Sequence, residues 1–202
     1  MKTIQLTLLA GLGTLIFAFV PPTKLSTLTV KPEASKIEWF AEKVTGKHNG
    51  TVMLKDGTLK LDGNKIVSGS FNVDMTSINV TDLEGEYKGK LEGHLKSPDF
   101  FDVQNHETAT FSIKSVSDLK SNPSYNSEIK GDLTIKGITQ AVSFPAKVTI
   151  TDGKLAAYGE LVIDRSKFDV RYGSPSFFND LGDKAIMDEF TMKISIGAKT
   201  DV

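Results

Sequence analysis

The chain has no cysteine. Disulfide scaffolds, Cys-ligated zinc, iron–sulfur clusters, cysteine nucleophiles and thiol redox chemistry are therefore excluded, as is a lipid anchor carried on cysteine. An excess of charge is lacking too: 24 Lys and Arg stand against 25 Asp and Glu, a net charge of −1. A dedicated nucleic-acid binder would carry a basic patch and a high pI. No Gly-x-Ser-x-Gly elbow precedes a helix, and no glycine-rich phosphate loop occurs; the glycines fall at turns and inside β-rich runs. Arginine is scarce, with only Arg165 and Arg171, and tryptophan occurs once, as Trp39. What remains is 202 residues, enough for one domain with a sizeable core and a tail.

The first 20 residues differ from all that follow. Lys2 is the only charge before Lys24, and residues 4–20 are apolar apart from Gln5, Thr7, Thr14 and small residues. A short positive start before an apolar stretch reads as a secretory signal peptide over 1–20, with Ile16-Phe17-Ala18 as the best cleavage candidate. The same stretch approaches the ~20 residues of a membrane span, so an uncleaved anchor is the second reading. The protein is expected to be periplasmic or secreted, with residues 21–34 as a flexible leader ahead of a domain over 35–198.

From Ser35 onward the dominant signal has period two. Ile129, Gly131, Leu133 and Ile135 alternate with Lys130, Asp132 and Thr134. Val67, Gly69, Phe71, Val73 and Met75 alternate with Ser68, Ser70, Asn72 and Asp74. Similar patterns run through 142–150 and 190–196. Such alternation marks strands with one face in the core and the other in water, as in antiparallel sheets. Asp56-Gly57, Asp62-Gly63 and Asp152-Gly153 supply hairpin chemistry between them. Eight or nine strands are expected, over 36–44, 49–55, 58–61, 65–75, 108–116, 125–136, 141–151, 155–164 and 188–198. Pro145 points to an edge or a bulge. The best helix candidate is 82–96, with Leu83, Tyr87, Leu91 and Leu95 on one side and Thr81 or Asp82 as cap. One short helix cannot cover a large sheet, so the sheet must close into a barrel or pack on another sheet.

Few residues suggest catalysis. His94, Asp99, Asp102 and His106 lie close in sequence and could be imagined as the centre of a metal-dependent hydrolase, but their spacing fits no helical metal pair or zincin motif. Surface or structural roles are the better reading for them and for His48. Arg165 and Arg171 fall within seven residues of each other after a strand. Arginine's planar fork suits carboxylates and phosphates. For Arg165 the favoured role is to pair with a carboxylate such as Asp164 or Asp188 and lock a strand end; Arg171 is divided between a surface role and an anionic ligand. Trp39 reads first as a core plug and second as a ligand-stacking residue. Phe177-Phe178 could form a hydrophobic lip or anchor a loop.

Three ordered segments then converge on a family. Gly131-Asp132-Leu133-Thr134-Ile135-Lys136-Gly137-Ile138-Thr139 closely resembles a signature of the YceI-like family. So do His94-Leu95-Lys96-Ser97-Pro98-Asp99-Phe100-Phe101-Asp102-Val103, closed by Thr110-Phe111, and Ile163-Asp164-Arg165-Ser166-Lys167-Phe168. Val44-Thr45-Gly46-Lys47-His48-Asn49-Gly50 is similar to one branch of it. The resemblance covers about Ser35 to Ala198. It departs at the first strand, where many relatives carry Asp-Pro-x-His-Ser and this chain has Lys31-Pro32-Glu33-Ala34-Ser35, so no histidine role transfers there.

The resemblance implies an all-β fold: an extended, antiparallel, lipocalin-like β-barrel of about eight strands with one short helix. It also implies an apolar pore for a polyisoprenoid or other long-chain amphiphile, in small exported or periplasmic proteins associated with isoprenoid handling or stress response. No family-wide catalytic activity comes with it, and no cofactor is expected. The expected pore lining is Trp39, Gly69, Phe71, Val73, Phe111, Ile113, Leu133, Ile135, Phe144, Val148, Ala157, Leu161, Met192 and Ile194. His94, Lys167 and Arg171 are the candidate head-group contacts. Small residues at Gly69, Gly131, Ala146, Ala157 and Gly159 are expected to leave room along the axis. Expected partners are the lipid, a nearby membrane and a second copy joined through an open sheet edge, with no nucleic acid. A filled barrel serving as an envelope scaffold is the remaining alternative, because a packed sandwich shows the same alternation.

Overall fold

A computed structural model describes residues 25–200; the expected export signal lies outside the described residues. Nine strands follow in order: β1 (Leu25–Val30), β2 (Lys36–Lys43), β3 (Gly46–Asp62), β4 (Lys65–Val80), β5 (Thr108–Asp118), β6 (Ser127–Ile135), β7 (Ile138–Thr151), β8 (Lys154–Asp164) and β9 (Ile186–Thr200). One helix, α1 (Gly85–Lys96), joins β4 to β5. Every pairing is antiparallel, and β3 pairs with β4 at one end of the order and with β2 at the other, so the sheet closes on itself.

Nine strands make eight staves. β1 and β2 both lie between β3 and β9: β1 faces the distal part of β3 and the end of β9, while β2 faces their other halves. A 3-10 turn over Pro32–Ala34 interrupts what is otherwise one stave. The expectation of a flexible leader over 21–34 is thus corrected for its described part. Leu28 and Val30 are fully buried, and their apolar burial fastens this segment into the barrel.

Turn chemistry explains two of the hairpins directly. Lys136-Gly137 and Asp152-Gly153 both have two successive positive φ values, 51° and 73°, and 49° and 70°. That is the backbone of a tight two-residue turn whose twist matches the flanking strands. Asp56-Gly57, in contrast, is not a turn. It lies within the 17-residue β3, where the register against β4 shifts between Leu54 and Asp56. The two strands expected over 49–55 and 58–61 are therefore one bent strand, since a bulge bends a strand without ending it.

A second bulge changes which residues face inward. Lys60 pairs with Ser68 but Leu61 with Ile66, so Ile66 turns into the core and Val67 is left 44% exposed. The alternation over 67–75 keeps its phase only from Gly69 onward. Pro145 lies in β7, a strand flanked on both sides, yet β8 pairs with β7 only from Ala146 to Thr151. Its missing N–H falls where the two strands part, a local edge inside a closed ring.

α1 begins three residues later than the sequence suggests. Gly85 has φ +56°, outside the helical region, and Asp82 is tied to the start of β3. Its carboxylate accepts from the His48 ring at 2.8 Å and from the Asn49 N–H at 3.1 Å. Neither Thr81 nor Asp82 caps the helix; Glu84 stands at that position without a side-chain cap bond. Glu92 instead ties α1 to the barrel by accepting from the Val80 N–H at 2.9 Å. With residues 97–107 and 165–185, α1 covers one end of the barrel. The turns at 63–64 and 152–153 mark the other end.

Candidate functional site

The inward residues of the staves enclose a cavity of about 200 Å³. Its wall is almost wholly apolar, built from Leu54, Phe71, Phe111, Phe144, Leu161, Met192 and similar side chains. Leu95 of α1 and Phe100 and Phe101 after it close the covered end, with Ile186 and Phe190 of β9 beside them. Twelve of the fourteen residues expected to line a pore border this cavity; Gly69 and Val148 do not. Ile37, Leu59, Ile66, Phe100 and Phe101 border it without having been expected there. Phe100 and Phe101 had a signal, since they stand inside one of the three family-like segments.

Gly69 and Gly131 do not open space along the axis; aromatic and aliphatic side chains take it. A Cβ at Gly131 would lie 2.5 Å from Phe111 Cζ, and one at Gly159 would lie 3.0 Å from Phe144 Cε2. At Gly69 it would meet Leu59 Cδ2 at 2.6 Å and Ile113 Cδ1 at 3.1 Å. The expected role of Gly69 and Gly131 is therefore corrected: they allow rings and branched chains to lie on the backbone. Ala146, Ala157 and Gly159 do border the cavity. Phe71, Phe111 and Phe144 form a ladder across it, with centroids 6.2 and 5.8 Å apart.

Arg165 seals the covered end. It is 2% exposed, and its Nε donates to the Met187 carbonyl at 3.1 Å. Nη1 donates to Val170 and Tyr172, and Nη2 to Ile186, each at 2.9 Å. Nη2 also stands 3.5 Å from Asp188 Oδ1. The guanidinium thus staples the strap after β8 to the start of β9, and its charge lies 5.4 Å from the Phe100 ring centre. Burial lowers its pKa below the ordinary value, with the Asp188 and Asp164 charges opposing. Burial also acts to raise the pKa of Asp188, but hydrogen bonds from Ser174 and Ser176 and the Arg165 charge outweigh it and hold the carboxyl below the usual range. The expected strand-end lock through Asp188 is what the structure contains.

The candidate head-group residues are dispersed. Arg171 is exposed and engaged by Asp169 Oδ1 at 2.5 Å, with Phe177 beneath it. Lys167 is exposed and 3.8 Å from Asp164. His94 packs against Phe100 and Tyr172, and its Nε2 is buried. None of the three borders the cavity. His106 stands 3.9 Å from Asp102, whose carboxylate also accepts from Asn105 at 3.0 and 3.1 Å. Among the described residues, no three His, Cys, Asp or Glu side chains are grouped closely enough to hold a metal ion. The hydrolase centre imagined on His94, Asp99, Asp102 and His106 is thus not assembled.

Fold and cavity together define a class: a closed antiparallel barrel around an apolar interior, covered at one end by a helix and a strap. The chain belongs to the YceI-like domain family, whose model matches residues 28–198. A UPF0312 protein of Ectopseudomonas mendocina is 33% identical over 105 residues, 52% of this chain and 51% of that protein. Protein YceI of Escherichia coli O157:H7 is 31% identical over 99 residues, 49% and 48% of the two. The chain spans about half the length of the curated relatives it matches. Among solved structures, Burkholderia cenocepacia BcnA superposes with TM-score 0.67 at 22% identity, over 84% of this chain and 99% of that one. A polyisoprenoid binding domain from Saccharophagus degradans gives 0.60 at 10% identity, over 88% and 100%. At these identities the likeness is one of fold.

Proposed function

We propose that the protein is a non-catalytic binding protein that holds one long-chain amphiphile, a polyisoprenoid lipid, in the barrel cavity. The observation that carries this reading is the cavity wall: apolar side chains from every stave, with one charged residue, Arg165, already engaged by four carbonyls. Such a wall offers contact to an apolar chain and little to a polar substrate. Each methylene moved from water into it contributes about 0.8 kcal/mol, so a long chain binds tightly without catalytic groups. The solved structure described as a polyisoprenoid binding domain shares this fold, which adds support. Residues 1–20 support export to the periplasm or beyond, where a lipid moving between membranes needs a shielded container. Participation in a stress response is part of the same proposal and rests on the family resemblance.

The test is to purify the protein from its own envelope, extract it with organic solvent and identify the extract by mass spectrometry. A polyprenyl compound in near-stoichiometric amount is the expected result. Repeated recovery of lipid-free protein that also fails to bind prenyl or fatty probes would overturn the reading.

A further inference from the structure

Trp39 carries a hydrogen-bond donor for which the barrel provides no acceptor. The residue is 9% exposed and borders the cavity, and its buried Nε1 meets no partner among the described residues. Leaving a buried donor unpaired has a cost comparable to a lost hydrogen bond, and buried indole N–H groups ordinarily find a partner. The ring is held firmly: Trp39 pairs with Gly50 of β3 and Met192 of β9. A Cβ at Gly50 would come within 2.0 Å of the Asn79 carbonyl oxygen and within 2.5 Å of Cζ2 and 2.6 Å of Cε2, so the glycine admits both the β4 backbone and the indole. A phenylalanine would supply apolar wall without the orphan donor.

The rest of the wall decides which acceptors suit. Among the described residues Arg165 is its only charged one, and four of its five N–H groups are given to backbone carbonyls while Asp188 faces the same guanidinium. An anion buried beside Trp39 would have no free counter-charge. Burying an unpaired charge is far more costly than burying a neutral oxygen that receives a hydrogen bond.

We infer that Trp39 Nε1–H donates to a neutral oxygen of the bound lipid, a hydroxyl, carbonyl or ether. The protein therefore prefers a neutral oxygenated chain both to the bare hydrocarbon and to the phosphate of the same chain. This inference rests on the lipid-binding reading above.

The single tryptophan gives one indole N–H resonance, which makes a direct test. Full-chain protein labelled with nitrogen-15 at tryptophan is titrated with three twenty-carbon probes: geranylgeraniol, the corresponding hydrocarbon without its hydroxyl, and geranylgeranyl monophosphate. The indole proton should move downfield with the alcohol only, and the alcohol should bind about tenfold more tightly than the hydrocarbon, the ratio one buried hydrogen bond supplies. Trp39→Phe should erase that ratio, and the phosphate should bind most weakly of the three. An indole shift that is alike for alcohol and hydrocarbon overturns the inference, as does a ratio that survives in Trp39→Phe or a phosphate that binds most tightly. If Trp39→Phe fails to fold, the shift comparison in the unaltered protein decides. Equal binding of all three probes refutes the role of Trp39 and leaves the lipid-binding reading standing; binding of none refutes both.

Discussion

The Phe111 ring occupies the space a side chain at Gly131 would need: a Cβ there would stand 2.5 Å from Phe111 Cζ and 2.5 Å from the Ser112 carbonyl oxygen. The backbone oxygen cannot swing aside as a long side chain could. Gly131→Ala should therefore destabilise the barrel by about 1–3 kcal/mol, the usual range for overpacking. In α1, Gly89 has nothing within 4 Å of its Cβ position, and Gly89→Ala should stabilise by about 0.5–1 kcal/mol through helix propensity alone. Urea unfolding of the two variants beside the parent checks both signs.

Arg165 satisfies four carbonyls and faces Asp188, so its removal leaves several buried polar groups without partners at once. Arg165→Met should cost about 3–5 kcal/mol, the range for breaking a buried pair by deleting one member. Arg165→Lys should recover little of this, because a single ammonium cannot reproduce the planar fork. Adding Asp188→Leu to Arg165→Met should return part of the loss by removing the uncompensated carboxylate. Thermal unfolding of the three variants reads the order; equal stability of Arg165→Lys and the parent would contradict this account.

Asp188 also sets a pH dependence. Its native pKa lies below the unfolded value of about 3.9, so the native state binds fewer protons than the unfolded one in the interval between them. The stability it contributes is fully present above about pH 4 and is lost as pH falls through the depressed native value. Asp82 is depressed as well: burial opposes it, and the Asn49 N–H and His48 outweigh burial. Denaturant unfolding between pH 7 and pH 2 should therefore show the parent losing stability more steeply below pH 4 than Asp188→Asn does. Parallel curves would remove Asp188 from the explanation.

Much of the barrel was legible because turn and strand chemistry are local. Asp152-Gly153 specifies a tight turn from two residues, and alternation over 129–135 survives unbroken into β6. Bulges are where reading failed. Asp56-Gly57 has the composition of a turn, but long-range pairing of β3 with β4 holds it within a strand, and the slip at Leu61 and Ile66 turns Val67 outward. Leu25–Val30 was missed because its burial depends on partners at both ends of the chain, in β3 and β9. The cavity wall was foreseeable from inward parity in a closed ring. The filling of Gly69 and Gly131 by neighbouring side chains was not, since it is set by which residue stands across the ladder.

The same distinction separates two ways of narrowing the cavity. Ala157 borders it, whereas Gly69 is already covered by Leu59 and Ile113. Ala157→Phe should fold and weaken prenol binding by about 2 kcal/mol, the equivalent of excluding two or three methylenes at about 0.8 kcal/mol each. Gly69→Phe should fail to fold stably. Circular dichroism of both variants, followed by a binding titration of Ala157→Phe, distinguishes them; unchanged affinity would place Ala157 away from the ligand.

The central claim, that the barrel takes one long apolar chain into its interior, is tested most directly by calorimetric titration of the purified, delipidated protein with a long-chain prenol at several temperatures. Enclosure of an apolar chain gives a saturable isotherm with one lipid per protein and a negative heat-capacity change. A non-saturating partition, or binding whose enthalpy does not vary with temperature, would contradict it.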